Sequence, residues 1–326
     1  MFDFLPEKQI PPDEDREINK RVWESIKGFH QGMPLPKTFY HYTDAAGLKG
    51  IVETGTLRAT HIAFMNDASE YLHAVSLLLD NVRDAKKRIS NPLQIKLLEE
   101  IEPPVAATRP QDAAPYFITC FSAQANSLNQ WRAYSRGEGG FCIGFDTAQI
   151  DSKSVEQFFF LSPTIYNRDQ QAKWAHDFLD WALNEYVRVA DVHRADQDEH
   201  RKAWAHMLLW RAAAAAPIMK NPAFVEEQEW RLIHSLQSKW DVRFLAKPVG
   251  LVPFVELKLG TPQTGPAAHQ IAQLGRPLPD KLPISVLWSG PGRATDTSLL
   301  AGRTLLEQFN YIGVQLEASK IPYRVG

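Results

Sequence analysis

Cysteine is scarce, with only Cys120 and Cys142 in 326 residues. Two thiols cannot build a disulfide framework and lack the companions of a four-ligand zinc site, so a reducing compartment is expected. An excess of one charge is also missing. Lys and Arg number 36 against 38 Asp and Glu, a formal net charge of -2, which excludes a chain-wide positive field for nucleic acid and leaves room only for a local basic groove. Long apolar runs are absent too. The most apolar stretch, Trp204 to Met219, is Ala-rich and carries His206 and Arg211, so it reads as a buried helix and not a membrane span. The acidic first residues hold no apolar segment of the kind a secretory signal needs, and a cytoplasmic location without membrane contact is expected. No internal repeat and no low-complexity tract occurs. What remains is 44% hydrophobic, 11% aromatic and 23% charged, enough to bury a sizeable core.

Residues 1–37 read as a lead-in segment with one amphipathic stretch (Ile18, Val22, Trp23, Ile26) ending in Gly32-Met33-Pro34-Leu35-Pro36. Residues 38–326 then read as a single α+β domain. Thr38 to Tyr42 predicts a strand, and Leu48, Ile51 and Val52 predict a short helix stopped by Gly55. A long helix follows Asn66-Asp67-Ala68-Ser69-Glu70, with Tyr71, Leu72, Val75, Leu78, Leu79 and Val82 on its apolar face. A Pro- and Ala-rich loop is expected from Pro103 to Pro115. Tyr116 to Ser122 and Gly140 to Asp146 predict strands flanking a short helix that contains Trp131 and Tyr134. Trp174, Phe178, Trp181, Trp204 and Leu208 mark a helical insertion over about 168–219. Strands at Glu229 to Ile233, Phe254 to Leu259, Ile284 to Trp288 and Gly313 to Ala318, with a helix over Leu299 to Phe309, complete the pattern.

Several motifs carry polar chemistry. Asn66-Asp67-x-x-Glu70 matches a capping box at a helix start; the alternatives are a substrate-facing role for Asn66 or Asp67 and metal binding through oxygen ligands. Glu226-Glu227-Gln228-Glu229-Trp230-Arg231 sets acids at the mouth of an apolar strand. Alternation there puts Glu229 and Arg231 on one side, as a structural ion pair or as a cleft-facing acid with a neighbouring cation. His41 follows two aromatics on the first strand, where a histidine is either hydrogen-bonded into the structure or functional. The remaining histidines show no metal-ligand spacing. Gly137-Glu138-Gly139-Gly140 lacks the Lys-Ser/Thr of a phosphate loop and reads as a turn.

As an ordered set, Tyr40-His41-Tyr42-Thr43, Gly50 to Leu57, Asn66-Asp67-x-x-Glu70, Cys120-Phe121-Ser122, Trp131-Arg132-Ala133-Tyr134, Gly140-Phe141-x-Ile143-Gly144-Phe145, Phe224-x-x-Glu227-x-Glu229-Trp230-Arg231 and Ser319-x-Ile321-Pro322-Tyr323-Arg324 resemble a bacterial family known as domain of unknown function 2971. A more distant resemblance is to the ADP-ribosyltransferase fold of the poly-ADP-ribose polymerase and diphtheria-toxin class. There a strand with His precedes a helix ending in Ile-Leu-x-x-Gly-Leu, a middle strand carries an aromatic and a Ser, and a late strand begins with Glu. His41, Ile51 to Leu57, Phe121-Ser122 and Glu229 follow that order. The middle position holds Phe121 where that class usually has Tyr, which leaves Tyr134 or Trp131 as substitutes.

This resemblance implies an ADP-ribosyltransferase-like split mixed β-sheet with helical insertions, and an enzyme that consumes NAD as substrate. Glu229 and His41 would be its catalytic residues, with Glu229 stabilising the cationic ribose and His41 holding the adenosine ribose. Phe121, Tyr134 or Trp131 would stack on nicotinamide; Tyr42, Thr43, Ser122 and Asn66 would steady neighbouring groups; and Arg231 or Arg132 would meet the pyrophosphate or pair with Glu229. The partners implied are NAD and a protein or nucleic-acid acceptor, in chemistry that would suit a defence or toxin effector, and no resident metal is expected. The rival expectations are a non-catalytic ligand-sensing or interaction module on the same fold, and a metal-dependent nuclease using Asp67, Glu70 and Glu229.

Overall fold

A computed structural model describes residues 10–30, 33–65, 69–109, 116–134, 139–193, 197–235, 239–247, 250–273, 275, 278–292 and 294–322. The chain alternates between strands β1 (Thr38–Thr43), β2 (Leu57–His61), β3 (Tyr116–Ser122), β4 (Phe141–Asp146), β5 (Phe159–Pro163), β6 (Glu229–Ser235), β7 (Arg243–Lys247), β8 (Gly250–Leu257), β9 (Ile284–Ser289) and β10 (Gln315–Ala318) and a series of helices. The helices are α1 (Pro12–His30), α2 (Ala45–Thr54), α3 (Ser69–Arg88), α4 (Pro92–Ala107), α5 (Leu128–Tyr134), α6 (Thr147–Val155), α7 (Arg168–Ala190), α8 (Gln197–Ala212), α9 (Pro266–Gln273) and α10 (Thr295–Gln308). The class is α+β. No helix among the described residues is long and apolar enough to cross a membrane.

All ten strands join one mixed sheet in the order β10-β9-β4-β1-β3-β2-β8-β7, with β6 paired to β3 and β5. Among the described strands, β10 and β9 are the one parallel pair. Strand β4 is buried on both faces over Phe141 to Phe145, which is why its sequence is continuously apolar and not alternating. Strand β3 is the branch point. One edge pairs with β6 along its whole length, from Tyr116↔Ser235 to Ser122↔Glu229. The other edge is divided: β2 takes Phe117 and Ile118, and β1 takes Ser122 through Tyr40. Cys120 sits in the gap between them, and its carbonyl accepts a hydrogen bond from His41 Nδ1 at 2.9 Å. A carbonyl can only accept, so His41 carries its proton on Nδ1.

Two apolar layers cover the sheet. On one face Tyr116, Ile118 and Ile233 meet a helical layer in which Ile18, Val22 and Ile26 of α1 are buried with side chains of α3, α4, α7 and α8. On the other face Leu48, Ile51 and Val52 of α2, Ile150 of α6 and Leu306 of α10 pack on Phe39, Phe121, Ile143, Phe145, Trp230 and Leu287. Each fully buried side chain of this kind contributes about 1.5–3 kcal/mol. The lead-in helix α1 is thus part of the same core as the 168–219 insertion.

The expected loop from Pro103 is corrected by α4, which continues to Ala107 with Pro103 and Pro104 inside it. Prolines remove backbone donors at a cost of about 3 kcal/mol each in a helix interior. Leu97, Leu98, Ile101 and Val105 offset this by burying one continuous stripe. Gly55 ends α2 at φ 64°, and its N–H bonds Ile51 O, as the sequence predicts. A side chain there would also strike Asp280 O at 2.3 Å.

Candidate active site

Strand pairing sorts the candidate residues by face. Tyr40, Ser122 and Glu229 stand directly across from one another on three adjacent strands and therefore share a face. Tyr42, Cys120 and Arg231 belong to that face by alternation. Phe39, His41, Thr43, Phe121 and Trp230 belong to the other. Ring contacts agree: Phe121 stacks on Phe39 at 5.5 Å between centroids, and His41 meets Phe121 edge-on at 5.9 Å. The two residues expected to be catalytic, His41 and Glu229, are consequently on opposite faces. Phe121, expected to stack on nicotinamide, is 2% exposed inside the apolar core, on the face opposite Glu229. Thr43 lies toward α2, where its Oγ1 fills the space a side chain on Gly47 would occupy.

The Glu229 face is built from charges. Glu229, 5% exposed, accepts from Lys220 Nζ at 2.8 Å and from Arg231 Nη2 at 2.9 Å, both on Oε2. Lys220 Nζ also donates to Glu227 Oε2 at 2.6 Å, and Arg231 Nη1 donates to Pro217 O at 2.7 Å. The backbone N–H of Glu229 donates to the Tyr166 hydroxyl at 3.0 Å. Two acids and two cations balance in charge, which is the condition for burying them together. Burial by itself would raise the Glu229 pKa. Arg231 foremost and Lys220 next outweigh it and hold the carboxyl at about 2, so it is ionised throughout the neutral range. Tyr134 lies beside this cluster, and burial followed by the nearby Cys120 and Glu229 pushes its hydroxyl pKa well up, keeping it a neutral donor. Burial raises Tyr166 in the same way.

Around the charges the remaining candidates hold the loop between β3 and α5. Ser122 Oγ donates to Glu227 O at 2.7 Å and accepts from Gln124 N at 3.0 Å, tying β3 to the segment that delivers Glu229. Tyr42 Oη donates to Gln124 O and accepts from Ser127 N, each at 2.9 Å. Trp131 is buried edge-on against Tyr42 at 4.9 Å, and its Nε1 donates to Asn126 Oδ1 at 3.0 Å. Asn126 sits at φ 58°, a left-handed conformation that asparagine tolerates better than most residues. Arg132 is exposed on α5. Asn66 and Asp67 lie outside the described residues, as does the side chain of Glu70, and the expected capping box and nuclease grouping fall there with them.

The expected Glu229–Arg231 pair is present, and the structure adds partners that the strand pattern did not supply. Lys220 is the main one. Its signal in the sequence is a lone cation closing the buried Ala-rich run, in Met219-Lys220-Asn221-Pro222, nine residues before Glu229. Tyr166 carries no comparable signal. His41 is held neutral at pH 7, because burial lowers its pKa and the Cys120 hydrogen bond only partly restores it. Among the described residues the one grouping of His, Cys, Asp and Glu side chains close enough to hold a metal ion lies away from Glu229, in the helical layer: Glu14, His193 and His200.

Residues 130–232 of this chain match the model of a family described as protein of unknown function (DUF2971), a span that runs from α5 to β6 and contains Trp131, Tyr134, Lys220, Glu227, Glu229 and Arg231. Neither the search of curated proteins nor that of solved structures gives a match.

Proposed function

We propose that this chain cleaves the nicotinamide–ribose bond of NAD in the manner of an ADP-ribosyltransferase, with Glu229 as the residue that meets the ribose. The observation that carries the proposal is a buried carboxylate held ionised, with a pKa of about 2, among tyrosine hydroxyls. Such a group cannot serve as a proton donor at neutral pH. It can stabilise a positive charge. In NAD the nicotinamide is already cationic, so it leaves as a neutral molecule and needs no proton. The charge passes to the ribose, and a fixed anion next to that carbon lowers the barrier.

The other roles belong to the same proposal. Tyr134 lines the cluster and takes the ring-stacking role in place of Phe121. Arg231 is committed to Glu229 and Pro217 O, and Arg132, exposed on α5, is assigned to the pyrophosphate. His41 acts from the far face as the clasp that holds β1 to β3 beside Ser122. The acceptor is a protein, a nucleic acid or water. Depletion of NAD by such a reaction would suit a defence or toxin effector.

A non-catalytic ligand-sensing module is the second reading, favoured by the fact that both cations already claim Glu229 Oε2. One experiment separates the two. Purified chain is incubated with NAD and released nicotinamide is quantified, with Glu229→Gln alongside and its fold checked by circular dichroism. Release that falls by about 100-fold or more in a folded variant supports cleavage. NAD binding without release from the wild type favours the sensing module, and neither binding nor release removes NAD from consideration.

A further inference from the structure

Within the helical layer, the first turn of α1 meets the end of α7 and the start of α8. Glu14 belongs to that turn, His193 follows the end of α7 and His200 lies in the first turn of α8. His193 Nε2 is 2.9 Å from Glu14 Oε1, and His200 Nε2 is 2.8 Å from Glu14 Oε2. The two imidazole rings stack with centroids 3.9 Å apart at 16°. One ligand atom from each of the three side chains lies within 4.8 Å of the other two. From these distances and this donor set we propose that Glu14, His193 and His200 form a binding site for a divalent transition metal ion, zinc by preference.

The chemistry selects that class of ion. Two neutral imidazole nitrogens and one carboxylate form the borderline ligand set that zinc favours, whereas calcium and magnesium take mostly oxygen. Both rings point their Nε2 atoms at the same carboxylate, so an ion placed among the three would meet one ligand atom from each. A divalent ion would supply the positive charge that the Glu14 carboxylate attracts.

The site is also held in place by its surroundings. The residue after Glu14, Asp15, receives a two-pronged ion pair from Arg211 of α8 at 2.8 and 2.6 Å, which sets the orientation of the first turn of α1. Tyr186 of α7 stacks on the His200 ring at 6.0 Å and 18°, fixing its plane. The His200 side chain is 5% exposed and that of His193 is 27%, so the site opens to solvent on the His193 side, where water completes the coordination. A bound ion would clamp α1 to the helical layer, and this proposal stands independently of any reaction at Glu229.

The full-length chain, stripped with a chelator and dialysed, is titrated calorimetrically with zinc chloride alone. Saturable binding at one ion per chain is expected, with at least a tenfold loss of affinity in His193→Ala and in Glu14→Gln, while His176→Ala, at an exposed histidine elsewhere, binds as the wild type does. Cobalt(II) provides a readout that does not depend on the variants: d–d absorption typical of a four- or five-coordinate nitrogen and oxygen site is expected in the wild type. Non-saturable zinc uptake, stoichiometric binding unchanged in both site variants, or a cobalt spectrum identical to that of the aqueous ion would overturn the proposal.

Discussion

Replacing Glu229 by Gln keeps the shape of the side chain and removes the charge that Lys220 and Arg231 share, while Glu227 still meets Lys220. The size of the effect follows from the carboxyl pKa, about 2 in the folded chain against an ordinary 4.5. That gap corresponds to about 3 kcal/mol of stability at neutral pH, at 1.36 kcal/mol per pKa unit. It falls at the low end of the roughly 3–5 kcal/mol typical of breaking a buried ion pair, as expected when Glu227 still neutralises Lys220. Because the folded-state pKa is depressed, the contribution is complete above pH 4.5 and is lost as pH falls from there toward about 2. Urea unfolding followed by tryptophan fluorescence, wild type against variant, should therefore give a difference that is flat from pH 8 to 5 and narrows below 4.5. A difference under about 1 kcal/mol at pH 7, or one unchanged at pH 3.5, would refute the argument that Glu229 is ionised and held by its two cations.

Two further outcomes test the packing and the buried histidines. Gly290→Ala places a methyl group 2.9 Å from the Trp131 ring and 3.1 Å from Gly140 N, so it should lower stability by about 1–3 kcal/mol in thermal unfolding, and a neutral substitution would show that α5 can move away from β9. His61, whose pKa is brought down to about 4 by burial, should stay neutral through pH 5 in an NMR titration. Because an unfolded histidine takes up its proton near pH 6.5, folding stability should fall as pH drops from 6.5 toward 4, by up to about 1.4 kcal/mol per pH unit for this group. A His61 midpoint near 6.5 would contradict the burial of its ring against Phe117.

Segments whose structure is decided by near neighbours were legible in the sequence. Helix α2 is one: Leu48, Ile51 and Val52 lie one helical turn apart, and Gly55 supplies the left-handed stop that other residues resist. The Glu229–Arg231 pair is another, because a strand returns every second side chain to the same face whatever surrounds it. Helix α4 was missed for the converse reason. Its prolines signal a loop locally, and only the apolar layer that receives Leu97, Ile101 and Val105 makes the helix worth forming.

The faces of the sheet were beyond reach of the linear pattern. His41, Phe121 and Glu229 follow one another in a plausible order, but order along a chain does not say which side of a split sheet each side chain takes. That is set by register, here by Tyr40↔Ser122↔Glu229, and a shift of one residue would reverse it. The sequence by itself determined an α+β chain with a charged strand entry at Glu229. Tertiary structure alone brought Lys220 to that carboxylate, and brought Glu14 to His193 and His200 from 179 and 186 residues away. The physical reason is that side-chain periodicity is a property of the local backbone, whereas the meeting of distant charges depends on how separately formed helices pack to bury their apolar faces.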